Sequence, residues 1–207
     1  MNFTFGIITS YNTEQFVDQI IDSIHSLNIP HYEIIVVGGS CQRGNNWIDF
    51  TYDRFVQPGW ITKKKNMITE YATYENIVYL HDYIACNEDW YDGFLKFGDD
   101  WDVCMNKIVK KTGERYREWC VCNGVIACDD PDLPHGTGNV PYDYNKTQYM
   151  YVSGAYWVAK KSFMTKYPLD EAFCWGQGED GVWVRSCRNI WNYRMNTNST
   201  VRLLKDK

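Results

Sequence analysis

The run Trp175-Gly176-Gln177-Gly178-Glu179-Asp180 places two adjacent carboxylates directly behind a glycine-rich turn. Acids in the first turn of a helix complement its dipole, an effect worth about 0.3–1 kcal/mol. They also suit general-base chemistry: Asp180 takes the proton of an attacking hydroxyl and Glu179 orients the incoming group. The glycines let a substrate approach the backbone, and Trp175 offers a ring face to sugar C–H surface. A second candidate is Asp82, preceded by His81 at the end of the apolar run Asn76–Leu80. A hard divalent cation takes carboxylate and phosphate oxygens, and manganese also accepts imidazole. Asp82 is therefore the expected metal ligand with His81 as a second, and Mn²⁺ or Mg²⁺ the expected cofactor. Lys63-Lys64-Lys65-Asn66 opens a helical pattern, and a helix start with lysines attracts an anion. Lys65 is assigned to the ligand; the competing use is a solvated basic face.

These residues need elements to bring them together. Residues 3–9 are apolar and β-branched and predict a buried strand, followed by a turn at Ser10-Tyr11-Asn12-Thr13 in which Asn12 and Gln15 resemble a capping box. Phe16, Val17, Ile20, Ile21, Ile24 and Leu27 have helical spacing, and Pro30 ends that helix. Tyr32–Val37 is a second strand, closed by Gly38-Gly39, so the opening is a βαβ unit with parallel strands. Further expectations are a short strand near 53–57, a helix over 63–74, a strand over 76–80 and a helix near 88–97. In the second half they are a hairpin over 101–128 turning at Lys111-Thr112-Gly113, a long loop over 129–147, and a strand from Met150 to Ala159 broken at Ser153-Gly154-Ala155. Helices over 160–167 and from Glu179 to Arg188, and a strand from Thr200 to Leu204, complete the pattern. The fold class is α/β, a central mixed but mostly parallel sheet flanked by helices. Ligands bind such sheets at the carboxyl ends of their strands. There lie Thr9, Ser10 and Tyr11, Gly38 and Gly39, His81, Asp82 and Tyr83, and Gly154.

Composition narrows the function. With 207 residues, 44% of them hydrophobic, the chain reads as one domain: a nucleotide-binding half over 1–100 and an acceptor and catalytic half over 101–207. A net charge of −5 argues against nucleic acid as a partner. No run is long and apolar enough for a membrane span, and the start lacks a basic leader, so a cytoplasmic location is expected, the host cytoplasm for a viral protein. None of the eight cysteines forms a CxxC pair, which speaks against zinc, and reduced thiols are expected. The Asn-x-Ser/Thr triplets at Asn2, Asn145 and Asn198 read as chance matches. Neither GxGxxG nor a P-loop is present. The end at Lys205-Asp206-Lys207 suits a domain excised from a longer protein.

The βαβ start, the carboxylate after a central strand, the Ser-Gly-Ala strand and Trp175 to Asp180, with Arg185 further on, together resemble the GT-A glycosyltransferases of the family-2 type. The Trp175 to Asp180 run is also similar to a motif of β-1,4-galactosyltransferases. Over the whole chain the sequence further resembles the N-terminal domain of multidomain chlorella-virus glycosyltransferases of capsid-glycan synthesis. The resemblance implies a Rossmann-like GT-A fold, a UDP-sugar donor, a glycan acceptor, Mn²⁺, and a hexose or a deoxyhexose such as L-rhamnose as the sugar moved. It also implies Asp180 as the base of an inverting reaction, Gly154 beside the donor sugar, and Thr9, Tyr11 and Gly39 at the uridine. Where that family has Asp-x-Asp, this chain has His81-Asp82-Tyr83. The alternatives are a sugar nucleotidyltransferase, which would carry a basic glycine-rich loop after the first strand, and a non-catalytic carbohydrate-binding module suited to the nine tryptophans.

Overall fold

The computed structural model describes residues 1–11, 14–39, 46–50, 59–122 and 129–206. The chain runs through β1 (Phe3–Ile8), a 3-10 turn (Glu14–Phe16), α1 (Val17–His25), β2 (Tyr32–Val37) and β3 (Asn46–Ile48). Next come α2 (Ile61–Tyr71), β4 (Asn76–His81), β5 (Ile84–Cys86), α3 (Trp90–Phe97) and β6 (Val103–Val109). Then follow β7 (Cys120–Val121), β8 (Met150–Tyr151), β9 (Tyr156–Lys160), α4 (Lys161–Lys166), α5 (Glu179–Cys187) and β10 (Tyr193–Leu203).

Eight strands form one sheet in the order β3-β2-β1-β4-β9-β6-β10-β5. From β3 to β4 all neighbours are parallel. β9 runs antiparallel between β4 and β6, β10 is parallel to β6, and β5 lies antiparallel at the edge. The chain moves outward from β1 through β2 to β3 and then returns to the other side of β1 as β4. That reversal is the switch point at which α/β sheets open a ligand crevice. β1 is buried at every residue, because helices cover both of its faces. On one face Phe3 and Phe5 pack on Trp90 of α3, with ring centroids 4.9 and 5.1 Å apart. On the other, Tyr79 of β4 and Trp157 of β9 lie 5.1 Å apart, and Trp183 of α5 stacks on Trp157 at 5.6 Å.

The α/β class with a mixed, mostly parallel sheet is the one the sequence predicts. Several element boundaries differ. Helix α2 ends at Tyr71 instead of continuing to 74, because the Thr73 amide and hydroxyl bond Glu33 and the Tyr74 amide bonds the Thr4 hydroxyl. The described residues of the segment 101–128 form no regular two-stranded hairpin. The turn after Lys110 forms, with a bridge between Val109 and Arg115 and backbone bonds from Lys110 to Glu114 and from Tyr116 to Ile108, but β6 pairs with β9 and β10. The last strand starts at Tyr193, seven residues before the expected Thr200. Its polar Asn196 and Ser199 are buried at a register shift, where they bond each other and Ser199 also bonds the Trp90 carbonyl. The strand expected at 53–57 and the cap expected at Asn12 lie outside the described residues. No helix among the described residues is long and apolar enough to cross a membrane.

Candidate active site

Strand register sets the site. Ile8 of β1 lies opposite Val37 of β2 on one side and His81 of β4 on the other. The next residues, Thr9, Gly38 and Asp82, therefore emerge side by side at the carboxyl ends. The Thr9 amide donates to the Val37 carbonyl at 3.0 Å, and the Thr9 hydroxyl donates to Asp82 Oδ2 at 2.8 Å. Gly39 adopts φ 73°, and a β-carbon there would sit 2.6 Å from Glu14 Oε2 and 3.2 Å from Thr9 Cγ2. Glycine thus lets the end of β2 fold over Thr9. Ser10 is buried and Tyr11 half-buried beside this ledge.

The second part of the site comes from the antiparallel strand. Leu80 pairs with Tyr156, so the turn Ser153-Gly154-Ala155 lies beside His81, whose amide donates to the Ala155 carbonyl at 3.0 Å. Helix α5 then brings Asp180 onto that turn. A β-carbon on Gly154 would lie 2.1 Å from Asp180 Oδ2 and 2.5 Å from Oδ1. Gly178, in the left-handed region at φ 77°, starts the helix. His81, Gly154, Trp175, Glu179 and Asp180 all line one cavity of about 170 Å³. Trp175 is 68% exposed, and its backbone amide donates to the Gly59 carbonyl at 2.6 Å, which ties the backbone at the rim.

Asp180 is buried in the wall of this cavity. Tyr151 donates its hydroxyl to Oδ2 at 3.0 Å, while Oδ1 has no hydrogen-bond partner among the described residues. Burial raises the Asp180 carboxyl above its ordinary range, and the Lys65 charge, the Tyr151 hydroxyl and the Gly154 backbone pull the other way. Burial, and then the neighbouring Asp180 charge, likewise raise Glu179. A buried carboxylate with an unpaired oxygen at a cavity wall is equipped to accept a proton.

Of the three lysines at the start of α2, Lys64 and Lys65 are held inside the protein and Lys63 is half-buried. Lys63 pairs with Glu171 at 3.0 Å, Lys64 donates to the Thr9 carbonyl at 2.6 Å, and Lys65 donates to the Gly154 carbonyl at 2.8 Å. Lys65 is fully buried with its nitrogen 4.0 Å from the Trp157 ring centre. The expected solvated face is therefore absent for Lys64 and Lys65, and Lys65 sits behind the cavity wall. Asn66 clamps Leu169 through both its amide nitrogen and its oxygen, so α2 also anchors the segment leading into α5.

Asp82 is 6% exposed and is not among the cavity-lining residues. His81 lines the cavity with its ring 5.4 Å from that of Tyr83. Among the described residues no group of three His, Cys, Asp or Glu side chains is placed to hold a metal ion. Asp82 and His81 therefore do not by themselves make up a cation site. Three polar groups that line the cavity were not expected from the sequence, Tyr116, Arg117 and Tyr151, and Tyr83, expected at the strand end, lines it as well. Arg117 and Tyr116 sit in a polar stretch without periodicity, and only the fold brings them here.

No protein-family model and no curated protein sequence matches the chain. Solved structures do. The chain is similar to S. aureus TarS over 99% of its own length and 37% of that chain, with 13% identity and a TM-score of 0.64. It is similar to S. aureus TarS 1–349 in complex with UDP-GlcNAc over 100% of its length and 59% of that chain, with 14% identity and a TM-score of 0.60. With GalNAc-T7 bound to UDP, GalNAc and Mn²⁺ the coverage is 100% and 43%, the identity 12% and the TM-score 0.66. The chain thus spans well under two thirds of each of these chains. The likeness shows the fold: a GT-A glycosyltransferase fold.

Proposed function

We propose that the chain is a glycosyltransferase that moves a sugar from a UDP-linked donor to the hydroxyl of a glycan acceptor, with Asp180 as the base. The observation that carries this reading is buried Asp180, its Oδ1 unpaired among the described residues, in the wall of a cavity beside the carboxyl end of β4. The bound ligands of the fold neighbours, UDP-GlcNAc in TarS 1–349 and UDP with GalNAc and Mn²⁺ in GalNAc-T7, support a nucleotide-sugar in that crevice.

In this reading the uridine lies on the ledge of Thr9, Ser10, Tyr11, Gly38 and Gly39, which belongs to residues 1–100. The sugar lies against Gly154 and Trp175, under the catalytic half. Asp180 accepts the acceptor O–H proton as that oxygen bonds the anomeric carbon. The bond from this carbon to the β-phosphate oxygen breaks, its electron pair stays on UDP, and the configuration inverts. Glu179 orients the acceptor. Arg117, a cation lining the cavity, is placed to meet the leaving diphosphate. A divalent ion arriving with the donor would have Asp82 and His81 as candidate ligands, an incomplete set among the described residues, and would supply charge neutralisation to the leaving diphosphate. A deoxyhexose such as L-rhamnose, and a role in viral capsid glycans, belong to this proposal through sequence resemblance alone.

A thermal-shift screen of UDP-, GDP- and CMP-linked sugars, with and without Mn²⁺, followed by product analysis, tests it. Release of UDP with a glycosylated acceptor supports transfer. Release of pyrophosphate would point to a nucleotidyltransferase, and failure of every nucleotide to bind would point to a carbohydrate-binding module.

A further inference from the structure

Resting on the assignment of Asp180 as base, we propose that Lys65 is a positioning residue of that base: it holds Gly154 against Asp180 and sets a buried positive charge behind the carboxylate, without itself touching the donor.

The geometry has three parts. The Lys65 ammonium donates to the Gly154 carbonyl at 2.8 Å, and Gly154 is the residue whose α-carbon abuts both carboxylate oxygens of Asp180. The ammonium also lies 4.0 Å from the centre of the Trp157 ring, a cation–π contact in a site closed to solvent. Trp157 in turn carries Trp183 of α5, the helix that bears Asp180. One side chain of α2 thus touches the turn on one side of the base and the ring that supports its helix.

Burying an ammonium costs several kcal/mol unless charge and hydrogen bonds compensate it. The Gly154 carbonyl and the Trp157 ring compensate in part, and the rest comes from carboxylates. Burial lowers the Lys65 ammonium to about 8, while the Asp180 and then the Glu179 charge raise it. The same attraction acts on Asp180 and opposes the upward effect of burial. The other titratable groups around Asp180 are Glu179 on α5, Tyr151 on β8, Tyr83 after β4, and His81, Tyr116 and Arg117 across the cavity. Of the cations, Lys65 is enclosed, and Arg117 is exposed at the rim. A charge in water is screened far more than one in the interior.

The test compares pH profiles of kcat/KM for wild type and Lys65→Met, alongside UDP affinity. Without the ammonium, Asp180 holds its proton to higher pH. The acid limb should move up by about one unit or more, the scale of an adjacent opposite charge. Turnover then falls about tenfold at a pH below the limb and recovers above it, with UDP affinity within about twofold of wild type. An unmoved acid limb, or UDP affinity weakened tenfold or more, would overturn the inference and return Lys65 to the donor. If Lys65→Met does not fold, carbon-13 titration of wild-type Asp and Lys side chains decides instead. Deprotonation of Lys65 should produce a second step in the Asp180 carboxyl signal; its absence counts against the inference. Asp180→Asn keeps the two claims apart: normal turnover in that variant removes the base itself, whereas its inactivity together with an unmoved limb in Lys65→Met removes only the role of Lys65.

Discussion

Gly154 and Asp180 compete for the same space: a β-carbon on Gly154 would lie 2.1 Å from Asp180 Oδ2, well inside van der Waals contact. The turn between β8 and β9 and the start of α5 are therefore fitted to each other at the proposed base. Gly154→Ala should displace the carboxylate and lower turnover by about a hundredfold, as a misplacement of roughly 1 Å can. Steady-state kinetics and a melting curve check this. Normal turnover in a folded alanine variant would show that Asp180 does not need its present position.

Tyr151 holds the same carboxylate from β8 at 3.0 Å. Its hydrogen bond favours the ionised form, so Tyr151→Phe should raise the carboxyl further above its ordinary value. The base is then protonated over a wider acidic range. Turnover should fall on the acid side and stay near wild type on the alkaline plateau. A uniform loss across pH would instead make Tyr151 a substrate contact.

Glu179 and Asp180 also shape stability. Burial, and then its charged neighbour, raise Glu179 above its unfolded value. The native state thus binds more protons than the unfolded chain in the window above the ordinary Glu range, and stability falls as pH rises through it. Glu179→Gln removes this liability. The variant should gain in denaturation midpoint over wild type at neutral pH, and the gain should shrink toward the acid end of the window. A gain of the same size at every pH would exclude the titration as its cause.

The opening βαβ unit was legible because residues 3–9 and 32–37 are apolar runs and the helix between them keeps its spacing. Asp180, Glu179, Gly154, Trp175 and His81 were legible because each sits next to a strand end, a turn or a helix start, where a ligand can reach. The burial of Lys64 and Lys65 was not. Three consecutive lysines look like a wet surface, and only the approach of Thr9 and Gly154, 55 and 89 residues away in sequence, gives the last two their partners. The polar start of β10 was equally hidden, since Asn196 and Ser199 satisfy one another only once folded. Arg117 lines the cavity together with residues distant in sequence, a juxtaposition no local pattern encodes.

Asp82, between the cavity-lining His81 and Tyr83, accepts a hydrogen bond from Thr9 of the ledge. Asp82→Ala should release Thr9 and weaken UDP binding about tenfold, the value of a charge-assisted hydrogen bond. The loss should be equal with and without Mn²⁺ in calorimetry. A loss confined to the Mn²⁺ arm would instead make cation binding the task of Asp82.

The most direct measurement pairs transfer by Asp180→Asn with its affinity for UDP. General-base catalysis contributes about 10²–10⁴ in rate, so transfer should fall by that factor while UDP binds within about twofold of wild type. Wild-type transfer by the folded asparagine variant would contradict the account.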